Sequence, residues 1–205
     1  MPNYCDNNLR IKFNKKKELE DFLAKHFREG DYGKEFDFDT IIPEPRTKDG
    51  LEPKYIANKN SHVQLVAGRE WFNRYKWHCD KWGTKWNAFE TSDPVIDDDL
   101  TLCFSYETAW SPSIPIIKKL AKMYKFDFIY TYYEGGMGFA GKWTRTNGVL
   151  ETEEVDGDND FEYRQFLLDN ELEEQEYLEE LGYIIKDGKV VDCLGEGELD
   201  TEQAA

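Results

Sequence analysis

The chain has 205 residues, of which 40% are hydrophobic and 15% aromatic, and a formal net charge of -16 at pH 7. This length and composition suffice for one hydrophobic core with an appendage. No run approaches the roughly 18 to 20 apolar residues that a membrane helix needs, and the first residues lack the pattern of a signal peptide. We therefore expect a cytoplasmic protein. The four cysteines show neither CxxC spacing nor clustering, which argues against a zinc knuckle and a disulfide framework.

The negative charge is concentrated in the C-terminal quarter of the chain. Residues 1–148 carry 23 Lys and Arg against 22 Asp and Glu, whereas residues 149–205 carry 3 against 20. A segment with this charge repels nucleic acid and membrane phosphates and attracts basic surfaces. The alternative interpretation is that the charge only keeps the protein soluble.

The first sixty residues predict a strand, a helix and a second strand. Residues 8–13 alternate polar and apolar side chains, as a half-buried strand does. Residues 15–27 place apolar side chains at helical spacing, and residues 35–41 alternate again. Residues 43–60 are rich in Pro, Gly, Asp and Lys and predict an irregular loop.

The middle of the chain predicts a helix over residues 69–82 and two strands over residues 85–90 and 100–106. The helix is expected to end at Gly83, where a left-handed residue is usual. Its predicted buried face carries these residues: Trp71, Tyr75, His78, Cys79 and Trp82.

A further helix is predicted to begin near Ser111 and Pro112, because serine can cap a helix and proline suits its first turn. Residues 126–133 and 139–145 predict a hairpin around a glycine-rich turn. Strands and helices in this order are typical of an α+β fold with an antiparallel sheet and helices on one face.

The acidic segment carries its own structural signals. An apolar stripe predicts one acidic helix from residue 161 to residue 181, and Asp187-Gly188 predicts a β-hairpin. We therefore divide the chain into a body over residues 1–148, an acidic arm over residues 149–194 and a disordered tail over residues 195–205.

Several motifs of the body resemble the YubB-like group, a family of uncharacterised phage and plasmid proteins with a ferredoxin-like domain. The resemblance covers about residues 2–145 and implies a ferredoxin-like α+β fold without an iron–sulfur cluster and a mobile-element origin. It supplies no established activity and no catalytic residues. The motifs are Pro2-Asn3 with Cys5 and Asn7, residues 38–43 (FDTIIP), 82–87 (WGTKWN), Ala109-Trp110 before Ser111-Pro112, and residues 138–141 (GFAG).

Two motifs suggest chemistry but have simpler explanations. Residues 136–141 match G-x-G-x-x-G, yet a dinucleotide site needs a helix directly afterwards and a strand is predicted there. His26 and His78 each lie on an apolar helix face, where a hydrogen-bonded core histidine is the commoner role. His62 stands alone in a loop-like region, and Asp93 with Asp97–Asp99 favours a solvated turn over a metal site. We predict no catalytic set, no metal site and no cofactor.

The acidic helix is the leading candidate for a binding element. Closely spaced carboxylates can imitate a phosphate backbone and occupy the basic groove of a nuclease. The function we expect is therefore inhibition of a host defence factor, such as a CRISPR-associated or restriction nuclease, in the host cytoplasm. A homodimer through the leucine stripe is compatible with this, and direct binding to nucleic acid or membrane is not expected. The expected binding residues are Glu171, Glu173, Glu174, Glu176, Glu179 and Glu180.

The main alternative is a nucleotide or small-molecule site, or an enzyme, at the tryptophan-rich corner of the body. Aromatic rings beside a lysine and an amide can stack a base and hold a phosphate, although large apolar anchors at such a corner also serve packing. A virion or scaffold component is a third possibility. The corner residues are Trp82, Lys85, Trp86, Asn87 and Trp110.

Overall fold

The computed structural model describes residues 3–30, 33–57, 68–97, 99–157 and 160–191, with the side chain of Phe161 excepted. His62 and the predicted tail over residues 195–205 lie outside this part of the chain. The helices are α1 (Lys16–His26), α2 (Arg74–Lys81), α3 (Ile114–Met123), α4 (Asp160–Asp169) and α5 (Gln175–Glu180). The strands are β1 (Tyr4–Lys12), β2 (Phe27–Gly30), β3 (Gly33–Phe36), β4 (Val95–Ile96), β5 (Thr101–Ala109), β6 (Asp127–Glu134), β7 (Phe139–Thr146), β8 (Val149–Asp156), β9 (Ile184–Lys186) and β10 (Lys189–Val191).

A six-stranded antiparallel sheet in the order β4-β5-β1-β6-β7-β8 forms the centre of the molecule. α3 connects β5 to β6, which lie on either side of β1, and this crossover pattern is characteristic of ferredoxin-like folds. The predicted ferredoxin-like α+β class with a C-terminal hairpin is confirmed.

One face of the sheet carries the main hydrophobic core. Alternate residues of β1 point into it, and Leu9 and Ile11 are buried together with Phe22 of α1 and Leu120 of α3. The local periodicity that predicts β1, α1, β5, α3 and the β6–β7 hairpin is therefore confirmed.

The predicted strand over residues 35–41 is wrong beyond Phe36. The side chain of Asp37 accepts a hydrogen bond from the amide of Asp39, which starts a 3-10 turn over Phe38–Thr40. A local side chain has replaced the sheet as the backbone's partner.

The predicted strand over residues 85–90 is also wrong. The one ladder contact described for this segment is an isolated bridge between Phe89 and Glu107. The helix before it is shorter than predicted: α2 begins at Arg74, and Trp77 is buried while Tyr75 is exposed.

The acidic segment begins as part of the main sheet. β8 pairs with β7 along its whole length, although its residues are acidic and largely exposed, as the edge of a sheet permits. The single helix expected over residues 161–181 is two helices, because the chain turns at Glu171, whose φ is +55°. The hairpin of β9 and β10 around Asp187 and Gly188 is confirmed.

Candidate functional site

A second, smaller hydrophobic cluster holds the acidic helices against the sheet. Tyr163, Phe166 and Leu167 of α4 are buried on Ala140 of β7, on the face opposite the main core. Val155 of β8 packs against the same cluster. The apolar face of α4 therefore fixes the position of the acidic residues that follow it.

Five of the six predicted binding glutamates face solvent. Glu173 is the exception, because its carboxylate accepts hydrogen bonds from Arg164 and its side chain is only 10% exposed. We call the other five the acidic surface, and they are Glu171, Glu174, Glu176, Glu179 and Glu180.

The acidic surface forms no ion pair with any residue that the structure describes, and of its five members Glu171 is the one whose charge acts on a cation of the sheet, Arg10. In the part of the arm that the structure describes, ion pairs join Arg164 to Asp160 and to Glu173, and none involves the acidic surface. The carboxylate of Glu179 accepts a hydrogen bond from Gln175, a neutral group. Arg164 is the one cation of α4 and α5, and it is paired with Asp160 and Glu173 instead of the acidic surface.

The tryptophan-rich corner divides into a buried half and an exposed half. Trp82 is 1% exposed, stacks on His78 with ring centroids 3.9 Å apart, and donates a hydrogen bond to the carbonyl of Ile42. Asn87 is also engaged, since its side-chain oxygen accepts from the Phe38 amide and its nitrogen donates to Asp37. These two residues hold the corner together, as packing anchors do.

The exposed half is named for Trp110 and also contains Lys85 and Trp86, which are half-buried. The Lys85 ammonium lies 5.0 Å from the centre of the Trp86 ring. Trp110 is 45% exposed and has a φ of +71°, a conformation that is rare for a large side chain. The Thr84 hydroxyl bonds both the amide and the carbonyl of Ala109, so the structure brings the 82–87 segment beside Trp110.

Gly83 makes this corner possible. Its φ is +83°, and a Cβ atom there would lie 2.6 Å from the Pro115 ring and 3.0 Å from the carbonyl oxygen of Pro112. The prediction of a left-handed glycine after α2 is confirmed.

A buried charge network lies next to the corner, and the sequence does not predict it. The carboxylate of Glu44 accepts hydrogen bonds from Arg69 at 2.8 Å and from Arg74 at 2.6 Å, and it lies 2.6 Å from Nε2 of His78. The other ring nitrogen of His78 lies 2.9 Å from the carbonyl of Lys85. Four charged or titratable side chains from distant positions thus meet at one point. No local sequence pattern predicts this cluster.

The electrostatic balance at Glu44 strongly favours its charged form. Burial raises the pKa of the Glu44 carboxyl, but hydrogen bonds from His78 and Arg74 outweigh burial and lower that pKa to about 2. This network joins the irregular segment around Glu44 to α2, and its geometry fits a structural role.

His26 is a hydrogen-bonded core histidine, as predicted. Its ring lies 2.7 Å from the Thr40 hydroxyl and 2.6 Å from the Tyr124 hydroxyl. Thr40 donates its own proton to the Asp37 carbonyl, so it accepts one from His26, and Tyr124 then donates to the other ring nitrogen. Burial, with help from Lys25, lowers the pKa of His26 to about 4.

The glycine motif at residues 136–141 lies at the turn and first residues of the β6–β7 hairpin and is followed by strand, as predicted. We expected the positive φ of this turn at Gly135 or Gly136, but the left-handed glycine is Gly138, with a φ of +68°. Within the described residues, no group of three or more His, Cys, Asp or Glu side chains is placed to hold a metal ion. No helix of that same part is long and apolar enough to cross a membrane.

Residues 81–181 match the family model described as the ferredoxin-like domain in Api92-like proteins. The match covers just under half of the chain, from the end of α2 through α5, and supports placing this segment in a ferredoxin-like family. It extends past residue 145, where the resemblance seen in the sequence ended, and so takes in β8 and α4. No curated protein and no solved structure matched the chain.

Proposed function

We propose that this chain is a binding protein that presents its acidic surface to a partner with a basic surface. The observation that carries the proposal is that five exposed glutamates, on α5 and in the turn before it, form no ion pair with any described residue. Uncompensated charge of one sign attracts a complementary surface from a distance and speeds association.

The glutamates of α5 lower the stability of their own helix, which supports a role beyond solubility. Glu176 and Glu180 are four residues apart on α5, where like charges repel. Glu179 and Glu180 also lie in the last turn of the helix, where the helix dipole favours cations. A helix selected for stability alone would carry lysine at these positions.

The partner class we propose is a nucleic-acid-binding protein, with a host defence nuclease as the specific expectation. The expectation of a host defence nuclease rests on the resemblance to phage and plasmid proteins. A row of carboxylates fixed on a folded scaffold can compete with phosphates for a basic groove, which would make the protein an inhibitor by DNA mimicry.

Affinity capture with charge variants tests the proposal. The immobilised chain is compared with a variant in which Glu174, Glu176, Glu179 and Glu180 are changed to Gln. We expect the wild type to capture a basic protein at low salt, release it as salt rises, and lose it to added duplex DNA. The Gln variant should capture about tenfold less.

A matched control uses the acidic residues of α1. Changing Glu18 and Glu20 to Gln and Asp21 to Asn removes exposed carboxylates that are paired with lysines. This variant should capture as well as the wild type. Equal loss in both variants, or no capture by the wild type at low salt, would contradict the proposal.

A second candidate function is favoured by the exposed half of the corner. Lys85 beside the Trp86 ring, and the unusual backbone of exposed Trp110, support the stacking of a flat, negatively charged ligand such as a nucleotide. Thermal-shift measurements with nucleotides would support it if Trp86→Ala abolished a saturable stabilisation and kept the fold.

A further inference from the structure

A groove of about 590 Å³ lies on the face of the sheet opposite the main core. Its floor is formed by β5, β1, β6 and β7, and the turn between α4 and α5 forms one wall at Asn170 and Glu171. Asp93 and Val95 line the other side. This volume is within the range of small-molecule sites.

The floor of the groove is a polar row that crosses four strands. Ser105 of β5 pairs with Asn8 of β1, Asn8 with Thr131 of β6, and Thr131 with Lys142 of β7. Neighbouring strands are about 4.8 Å apart, so the row is about 14 Å long. A sheet face covered by helices is normally apolar. Because polar side chains lose solvation unless they are hydrogen-bonded, the polar row favours a polar ligand in this groove.

The neutral members of this row have no hydrogen-bond partner on the protein. No side-chain hydrogen bond is formed by Ser105, Asn8 or Thr131 with any residue that the structure describes. Thr131 is only 8% exposed and lines the groove. A bound polar molecule in the groove could therefore hydrogen-bond these side chains in place of water.

The charges around the groove have both signs. Arg10 and Lys142 lie on the sheet, and each has one neutral acceptor, Cys103 at 3.4 Å and Asn170 at 2.7 Å, which leaves further N–H donors free. Carboxylates stand on the walls at Asp93 and Glu171. No ion pair joins these cations and carboxylates among the described residues.

We propose that this groove binds a small zwitterionic molecule, of the amino-acid or dipeptide class. A polyanion such as a nucleotide would meet the wall carboxylates, and an apolar ligand would leave the floor without hydrogen bonds. A zwitterion places its carboxylate at Arg10 or Lys142, its ammonium at Glu171 or Asp93, and its polar middle on Asn8 and Thr131. Apart from Glu171, the groove uses none of the acidic surface, so it stands independently of the partner proposed above.

An NMR titration of the full ¹⁵N-labelled chain tests this proposal. The probes are the standard amino acids and a set of glycine-containing dipeptides, added at millimolar concentration. We expect at least one probe to shift the amide signals of groove residues saturably. Its N-acetylated and its C-amidated derivatives, which each lack one charge, should bind about tenfold more weakly.

Two variants distinguish the groove from the rest of the sheet face. Thr131→Val removes the hydroxyl in a nearly isosteric change and should raise the dissociation constant about fivefold. Thr144→Val makes the same change on the same face, outside the groove, and should leave binding unchanged. Glu171→Gln, at an exposed turn, should weaken the ammonium contact without affecting the fold.

Three results would overturn the proposal. The first is the absence of saturable shifts with every probe. The second is equal affinity of the Thr131→Val and Thr144→Val variants. The third is binding in the groove of inorganic phosphate or of a neutral sugar, added as comparison probes, more tightly than of any zwitterion.

Discussion

The exposed helices α1 and α5 both carry acidic side chains, but their electrostatic surroundings differ. In α1, Glu18, Glu20 and Asp21 lie 3.3 to 3.8 Å from lysines one turn away. In α5, the glutamates have no ion pair with any described residue, and Glu176 and Glu180 repel each other across one turn. The same fold thus solubilises one helix with balanced charge, so solubility alone does not explain the unbalanced charge of the other.

The contrast extends into the interior of the body. Glu44 is buried with Arg69, Arg74 and His78 around it, so its charge is completely compensated. The carboxylate of Glu44 joins two parts of the body, whereas the carboxylates of α5 form no ion pair with any described residue. Substitutions in the body and in the arm can therefore be compared one at a time.

Removal of the buried carboxylate should have the largest effect. Glu44→Ala leaves Arg69, whose side chain is 14% exposed, without its carboxylate, while Arg74 at 37% exposure stays partly solvated, and we expect the free energy of unfolding to fall by about 3 kcal/mol. Urea denaturation measures the change. Glu176→Gln is the control and should alter stability by less than about 0.5 kcal/mol. Similar losses of stability in the two variants would contradict the difference between Glu44 and the carboxylates of α5.

A substitution that loosens the packing of the arm on the sheet should have the second largest effect on stability. Phe166→Ala removes a buried ring from the small cluster, and the expected loss of stability is about 3 kcal/mol, confined to the arm. Hydrogen exchange should show faster exchange in α4 and α5 and unchanged protection in β1. Loss of protection in both regions together would mean that the arm and the body unfold as one unit.

The pH dependence of the body should follow its buried groups. Because the folded pKa of His26, about 4, lies below its ordinary value of 6.5, the unfolded chain binds the extra proton first, and stability falls as pH drops through this window. The full effect is about 3 kcal/mol. His26→Gln should flatten the stability curve between these pH values, and an unchanged slope would contradict this assignment.

Glu44 extends the same pH dependence to lower pH. Its folded pKa of about 2 lies below the ordinary 4.5, so its stabilisation is fully present above pH 4.5 and is lost as pH falls towards 2.

Reversal of single surface charges should have the smallest effect, with opposite signs in the two helices. Glu180→Lys gives α5 a favourable pair with Glu176 and a cation in its last turn, so local stability should rise by about 0.5 kcal/mol. Glu20→Lys replaces a favourable pair with Lys16 by a repulsive one and should cost a similar amount. Hydrogen exchange of each helix measures both changes, and shifts of the same sign would refute the comparison.

The elements that the sequence predicts correctly depend on local periodicity. β1, α1, α3 and the β6–β7 hairpin repeat apolar residues at the spacing of their own structure, and Asp187-Gly188 specifies its turn. The errors arise where side chains bond the backbone. Asp37 turns the chain into a 3-10 helix, and Asn87 binds the Phe38 amide from a distant position.

The candidate sites were predicted less completely because they depend on tertiary contacts. Composition identifies the acidic arm, but the pairing of Glu173 with Arg164 requires the turn between α4 and α5. Trp82 resembles a ligand-binding ring in the sequence and is a core residue in the structure. The polar row of Ser105, Asn8 and Thr131 exists only through strand register, which the sequence does not reveal.

The most direct test of the central claim is the salt dependence of affinity for the captured partner. The dissociation constant is measured from low to physiological ionic strength for the wild type and for the variant with Gln at residues 174, 176, 179 and 180. We expect the wild type to bind more tightly at low salt and to lose affinity steeply as salt rises, whereas the variant should bind weakly with a shallow slope. Equal affinities and equal slopes would contradict a binding role for the acidic surface.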